Sequence, residues 1–295
     1  MNGMRKVLRV KLTSRNLPAA LAVALLFFPT FGAESAIAKP LRYKFSGGSM
    51  YTLEYSEIGF ADSSATTRWG RITTSGRVVP LTSDLGLKEV TEAVNSPFNG
   101  DVYVLAEGQG TDCEVWSFDP EDPEGTLTQK FTVSNPDFIA RNCTSLAFLP
   151  EESGQVMVGY LNEVTDYDDF YTGIHDVATG LFIEYASFTP DQPAATDCTA
   201  RPSCLSIYYD STRVYFQYVV ASSYQLAPIR GNPVISSVRF DGARQPWVAR
   251  WTPDGDSVGK LSLKTRRVTW GKKLVDSVTG LPWRTDSLVF IPRSR

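Results

Sequence analysis

The strongest constraint on how this 295-residue chain can fold is that it repeats itself. A strand-like run that ends near proline, turns and continues into a second run appears as EAVNSPFNGDVYVLAE (92–107), SLAFLPEESGQVMVGY (145–160) and CLSIYYDSTRVYFQYV (204–219). Looser versions are LRYKFSGGSMYTLEY (41–55) and WVARWTPDGDSVGKLSL (247–263). Their turn positions, Gly48, Gly100, Gly154, Thr212 and Gly255, are 52, 54, 58 and 43 residues apart. A second landmark, a run that stops at a polar turn with glycine, recurs as GRITTSG (70–76), SFDPEDPEG (117–125), GIHDVATG (173–180), VRFDG (238–242) and VDSVTG (275–280). Its glycines average 51 residues apart. Two landmarks alternating at one period argue for five copies of one unit.

The runs inside each unit are short, alternate in polarity, and are rich in Val, Ile, Tyr, Phe and Thr. Gly, Asn, Asp or Pro clusters separate them, which is the pattern of strands and turns. Helical periodicity is confined to Ser83–Val94, where Leu85, Leu87, Val90 and Val94 fit one short helix or a loop. Each unit therefore holds about four strands in a meander. A lone four-stranded sheet cannot bury both faces, so the copies must stack on one another. Radial stacking gives a β-propeller, whose blade repeats run at roughly 40–50 residues. The expected fold is all-β, a five-bladed β-propeller of four-stranded antiparallel sheets. The competing architecture is a β-sandwich, which also has many short strands.

A ring needs closure. The last run, DSLVFIP (286–292), mimics TSLAFLP (144–150) and lacks a hairpin partner after it. Its expected partner is at the other end of the chain, in Leu41–Phe45 or Met50–Tyr55. Over residues 41–292 the chain resembles the broad class of exported β-propeller repeat proteins. The proline-ended strand, its hairpin, and the Asp-x-x-x-Gly turns at Asp176–Gly180 and Asp276–Gly280 carry that resemblance. These motifs define blades and imply no particular activity, and no Trp-Asp dipeptide ends a strand.

The first segment reads as an address. Residues 1–16 carry five cations and no acid, an apolar run spans Leu17–Phe28, and Ala36-Ile37-Ala38 is a small-x-small triplet. That order is the layout of a secretory signal peptide. The apolar run has twelve residues, against the roughly 20 that a membrane-spanning helix needs. The expectation is export to the periplasm, the cell surface or the medium, with cleavage after Ala38. Residues 39–295 then form a single propeller-like domain with no membrane span.

Four cysteines, Cys113, Cys143, Cys198 and Cys204, all lie in the exported part. Two disulfides are the default in an oxidising compartment. Four cysteines allow three connectivities, and the short CTARPSC stretch favours Cys198–Cys204, leaving Cys113–Cys143. Charge is unevenly placed: residues 39–200 hold nine Lys/Arg against 25 Asp/Glu, whereas residues 201–295 hold fifteen against six. The plainer reading is an acidic sector packed beside a basic one, and the functional reading is a patch for a polyanion. Nucleic acid is disfavoured, because the net charge is −3 and no basic–aromatic motif is present.

Chemistry is sparse. The single histidine, His175, aligns with Phe118 just before an outer turn, which reads as a surface turn residue far from any central channel. Asp166, Asp168 and Asp169 form the densest acidic loop and are Ca²⁺ candidates; DPEDPEG (119–125) is similar. Neither matches an EF-hand loop, so a solvated loop is preferred and no cofactor is expected. Trp247, Trp251, Tyr208, Tyr209, Tyr215, Phe216 and Tyr218 read as core packing between sheets, with Tyr209 opposite Tyr215. No nucleophile elbow, phosphate loop or dinucleotide fingerprint occurs. The expected function is a monomeric binding or scaffold module for a protein, glycan or cell-wall polymer, with loops near residues 106–114, 162–170 and 220–233 as its contact surface. The alternative is a carbohydrate-active hydrolase or lyase using carboxylates at the central channel.

Overall fold

The computed structural model describes residues 41–56, 66–107, 113–134, 140–149, 154–162, 169–188, 193–199, 203–209, 213–220 and 223–293. It is a five-bladed β-propeller. The first strands are β1 (Gly48–Ser56), β2 (Thr66–Ile72) and β3 (Arg77–Pro80). Blade 2 follows as β4 (Glu92–Asn95), β5 (Val102–Glu107), β6 (Cys113–Phe118) and β7 (Thr128–Thr132), with a one-turn helix α1 (Pro123–Thr126) before β7. Blade 3 is β8 (Ala140–Phe148), β9 (Gln155–Asn162), β10 (Asp169–Asp176) and β11 (Phe182–Phe188). Blade 4 is β12 (Pro193–Thr199), β13 (Ser203–Tyr209), β14 (Val214–Val220) and β15 (Ser223–Pro228). Blade 5 is β16 (Ile235–Phe240), β17 (Pro246–Arg250), β18 (Ser257–Ser262) and β19 (Arg267–Lys273). The chain ends in β20 (Val275–Asp276) and β21 (Ser287–Pro292), which return to the first strands.

Blade 1 is thus built from both ends of the chain, in the order β20-β3-β2-β1-β21. The C-terminal strand β21 is its innermost member and pairs antiparallel with β1, from Gly48↔Pro292 to Leu53↔Ser287. This is the second of the two partners expected from sequence. A side chain could not stand at Gly48, because its Cβ would meet the Ile291 carbonyl oxygen at 2.2 Å. Two outer latches reinforce the closure. The two-residue β20 pairs parallel with β3, and Leu41 bridges Gly271 of β19. Tyr43 is buried there and donates its hydroxyl proton to the Lys272 carbonyl.

The apolar faces meet between blades. Blades 1 and 2 share Leu53, Trp69, Leu85, Val104 and Phe118; blades 2 and 3 share Leu105, Val115, Phe131, Leu146 and Val158. Blades 4 and 5 share Leu205, Phe216, Val238 and Leu261, and blades 5 and 1 share Trp247, Trp283, Met50 and Leu288. Both expected disulfides are formed. Cys113–Cys143 joins β6 of blade 2 to the inner strand β8 of blade 3, and Cys198–Cys204 crosses β12 and β13 inside blade 4.

The blade count holds, but the phase of the repeat slips. The hairpins at Gly100 and Gly154 join the first and second strands of their blades. The segments 204–219 and 247–263 instead span the second and third strands. Likewise the turns at Gly76, Gly125 and Gly180 join third to fourth strands, whereas Gly242 joins β16 to β17. The Ser83–Val94 stretch forms no helix. Leu85, Leu87 and Val90 enter the core from a loop, and the chain becomes β4 at Glu92. The short helix α1 falls instead in the acidic DPEDPEG turn, where Asp122 accepts from the Gly125 N–H at 3.2 Å.

Closure of the ring generates the first prediction. Deleting residues 286–295 removes the inner strand of blade 1 and exposes the interfaces on both of its sides. Thermal unfolding followed by circular dichroism should lose its cooperative transition. A melting temperature within a few degrees of the full chain would contradict the closure.

Candidate functional site

The inner strands β4, β8, β12, β16 and β21 surround the axis, and their interior is polar. The Glu92 carboxylate is fully buried and its Oε1 accepts from Arg239 Nη2 at 2.7 Å, Ser287 Oγ at 2.9 Å and Ser237 Oγ at 3.1 Å. Arg239, 2% exposed, donates Nε to the Ala93 carbonyl at 3.1 Å and Nη1 to the Thr196 carbonyl at 2.9 Å. Ser287 Oγ in turn accepts from the Ala93 N–H, and Ser237 Oγ from the Leu288 N–H. One guanidinium and two hydroxyls therefore tie together β4, β12, β16 and β21. The planar fork of arginine, with five donors, suits this job as an ammonium would not.

Above this plug lies a pocket of about 480 Å³. Its lining comes from the C-terminal ends of four inner strands: Val94 and Asn95, Asp197 and Cys198, Arg239 and Phe240, Phe290 and Pro292. The parallel arrangement of inner strands brings these ends to one face. Pro97, Asp241, Gly242 and Arg244 complete the lining. The carboxylates here are engaged. Asp197 Oδ2 accepts from the Phe240 N–H at 2.6 Å, and Asp241 accepts from the N–H groups of Ser46, Ala243 and Gln245 and from Trp247 Nε1. Burial pushes Glu92 up to about 7 and raises Asp197, although Arg239 opposes both shifts. Arg244 is exposed at the rim, in a left-handed turn with φ of 58°.

The start of β21, where blade 1 meets the β17–β18 loop of blade 5, has a different character. Glu54, Asp256 and Asp286 converge there with Arg68 and Arg284. Glu54 Oε2 pairs with Arg68, whose Nη1 also meets Asp276 Oδ2 at 2.9 Å and whose guanidinium lies 4.5 Å from the Trp283 ring centroid. Glu54 Oε1 and Asp256 Oδ2 accept the backbone N–H groups of Arg284 and Thr285. Asp286 is half-buried and accepts from the Tyr55 N–H at 2.6 Å. Burial, with Asp256 and Glu54 nearby, pushes it up to about 7. A further concavity of about 460 Å³ lies on blade 2, lined by Lys88, Glu107, Glu114 and Trp116 among others. There a hydrogen bond with Glu89, then burial, pushes Glu107 up to about 7.

Several sequence-derived candidates land elsewhere. Asp166 and Asp168 lie outside the described residues, and Asp169 opens β10. Among the described residues no group of acids, histidines and cysteines is arranged to hold a metal ion. In the DPEDPEG turn, Asp119 and Asp122 cap local N–H groups and Glu124 accepts from Ser83. His175 is a correction: it is fully buried, not a surface turn residue. It packs among Phe131, Tyr160 and Phe182, with Nδ1 3.2 Å from the Gly180 carbonyl, and burial lowers its pKa. The tyrosine pairing also shifts by one, since Tyr208 stacks on Tyr215 at 5.4 Å and Tyr209 lies opposite Val214. Trp247 and Phe216 are core residues, whereas Trp251 is 49% exposed. Of the expected contact loops, 108–112, 163–168 and 221–222 fall outside the described residues.

Glu92, Arg239, Ser237, Ser287 and Asp286 were not singled out in the sequence. Their one visible signal is a charged or hydroxyl residue inside an inner-type strand. No protein family and no curated protein matches the sequence. Solved structures resemble it at low identity. TolB from Acinetobacter baumannii is 12% identical with a TM-score of 0.46, over 85% of this chain and 68% of that one. A GH43 glycoside hydrolase is 14% identical with a TM-score of 0.45, over 84% of this chain and 53% of that one. The Aleuria aurantia lectin is 12% identical with a TM-score of 0.44, over 80% of this chain and 81% of that one.

Two predictions follow from the axis. Replacing Arg239 with Met leaves Glu92 buried and unpaired, and should cost about 3–5 kcal/mol in denaturant unfolding. The double replacement Arg239→Met/Glu92→Leu should recover part of that loss; additive losses would deny the pairing. The raised carboxyls fix the sign of a pH effect. Glu92 and Asp286 hold protons in the folded state between their ordinary values, 4.5 and 3.8, and about 7. The folded state then binds more protons than the unfolded chain, so stability falls as pH rises through that window. The melting temperature should be higher at pH 5 than at pH 8, and Asp286→Asn should flatten the difference.

Proposed function

We propose that this chain is an extracytoplasmic binding module that holds an oligosaccharide in the axial pocket. The observation that carries the reading is the state of the axial carboxylates. Glu92 is locked to Arg239, Asp197 to the Phe240 N–H, and Asp241 to backbone and indole donors. The pocket lining offers fixed polar groups and apolar walls, from Val94, Phe240 and Phe290, and its two acids, Asp197 and Asp241, both accept backbone N–H groups. Saccharides suit such a mixture of ring faces and directed hydrogen bonds. The basic–apolar–small order of residues 1–38 supports export. The two disulfides are consistent with an oxidising compartment.

A second reading, a carbohydrate-active hydrolase, has one observation in its favour. Asp286 sits beside Glu54 and Asp256 with its carboxyl pushed up to about 7, the range a general acid needs. Both readings are tested on one protein. A glycan array followed by calorimetry should find a ligand whose affinity drops about tenfold in Arg244→Gly, the size of one lost charged hydrogen bond. The substitution suits the left-handed backbone there, so the melting temperature should hold. Unchanged affinity would remove the pocket from the reading. Release of reducing sugar that disappears in Asp286→Asn would replace binding with hydrolysis.

A further inference from the structure

The charge split of the sequence has a definite location. Residues 257–275 carry six Lys/Arg and no Asp/Glu. They form β18, the turn after it and β19, the outermost strand of blade 5. Lys264, Arg267, Lys272 and Lys273 are exposed, and Arg266 is half-buried in the turn. Arg230, also exposed, arrives from blade 4 and donates its backbone N–H to the Arg266 carbonyl at 2.8 Å. At the far end the chain passes from Lys273 to Val275, which pairs with the exposed Arg77 of blade 1. Cations therefore line the outer rim across the full width of blade 5. Among the described residues, only Lys273 of this group forms an ion pair, with Asp254 at 3.2 Å.

The spacing and surroundings say what such a strip can hold. From Arg267 to Lys273 an extended strand covers about 20 Å. Val268 and Trp270 turn into the core shared with blade 4, so Arg267 points the other way. The Trp270 ring is capped by the Arg250 guanidinium, 4.5 Å from its centroid, and is committed to that contact rather than to stacking a base. The strip is one strand wide, and the remainder of the chain is acidic. A single line of cations about 20 Å long fits a flexible chain of spaced anions that can follow the strand along its length.

We propose that the outer edge of blade 5 is a docking strip for a linear anionic polysaccharide, bound through sulfate, phosphate or carboxylate groups. The strip is separate from the axial pocket and does not depend on it. Its contacts are charge to charge, so binding weakens steeply with salt.

The test uses the purified protein and dextran sulfate as probe, with a single-stranded oligonucleotide as the competing polyanion. The variant Lys264→Glu/Arg267→Glu/Lys272→Glu reverses three exposed cations. Lys88→Glu/Lys130→Glu reverses exposed cations on blade 2 and serves as the control. Dextran sulfate should bind the parent protein, and the triple variant should lose at least tenfold in affinity while the control keeps it. The slope of log K against log[salt] should fall by roughly 2, at about 0.7 per phosphate-like contact. Equal losses in both variants would overturn the proposal, as would a parent protein that does not bind dextran sulfate. Tighter binding of the oligonucleotide than of dextran sulfate, or salt-sensitive self-association abolished by the triple variant, would overturn it in favour of nucleic acid or a second copy. Matched melting temperatures of the three proteins make the comparison one of binding.

Discussion

Everything in this structure depends on sheets that can bury their faces only against other sheets of the same kind. A row of five such sheets would leave two apolar faces in water, so the row must bend into a ring and close. Closure falls inside blade 1, where strands from the two ends of the chain meet and the inner strand has no covalent continuity with its neighbour. The closure is therefore fastened at three places: β21 on β1 near the axis, β20 on β3 on the outer side of blade 1, and Leu41 and Tyr43 against β19, the outermost strand of blade 5. Gly48 permits the tightest of these approaches. The disulfide between Cys113 and Cys143 fastens a different junction, that of blades 2 and 3. Covalent and non-covalent fasteners are thus placed on different seams of one ring.

Closing the ring creates a second constraint at the axis, where inner strands converge and backbone groups crowd together. An apolar filling would exclude water but satisfy no carbonyl. Arg239 instead reaches Ala93, Thr196 and Val238 carbonyls and the Glu92 carboxylate, which spans three strands with one side chain. Burying a charge pair of this kind carries a desolvation cost and stabilises little relative to apolar packing. What it fixes is geometry. The C-terminal ends of four inner strands are held in one arrangement, and the pocket above inherits that rigidity. A preorganised pocket loses less entropy on binding, which favours recognition by shape and directed hydrogen bonds.

How much of this was legible in the sequence follows from the same geometry. Blade count and closure depend on local patterns and on the likeness of DSLVFIP to TSLAFLP, so both could be read. Phase could not, because first-to-second and second-to-third hairpins use the same turn chemistry: Gly100 and Gly255 both have positive φ, yet they join different strands. His175 shows the limit of aligning one residue by its turn, since the turn at Asp176–Gly180 is exposed while the side chain before it points inward. The tyrosine pair slipped by one residue for the usual reason that strand register is a tertiary property. The axial site was invisible. Glu92 and Arg239 are 147 residues apart, and only the ring brings them within 2.7 Å.

The distribution of charge completes the physical account. At the axis and at the start of β21, acids are buried beside arginines, and their charges are spent inside the protein. On the outer edge of blade 5, cations stand in water, and among the described residues only Lys273 is ion-paired, with Asp254. A charge already paired in a low-dielectric interior has little left to offer a partner, whereas an unpaired one at the surface is screened but available. In the two readings proposed above, the axial pocket would recognise by fit, with Arg244 as its one exposed cation, and the rim by charge. Blade 5 contributes to both surfaces, its inner strand β16 to the axial pocket and its outermost strand β19 to the rim, so a partner spanning both would gain from simultaneous engagement without any change in either site.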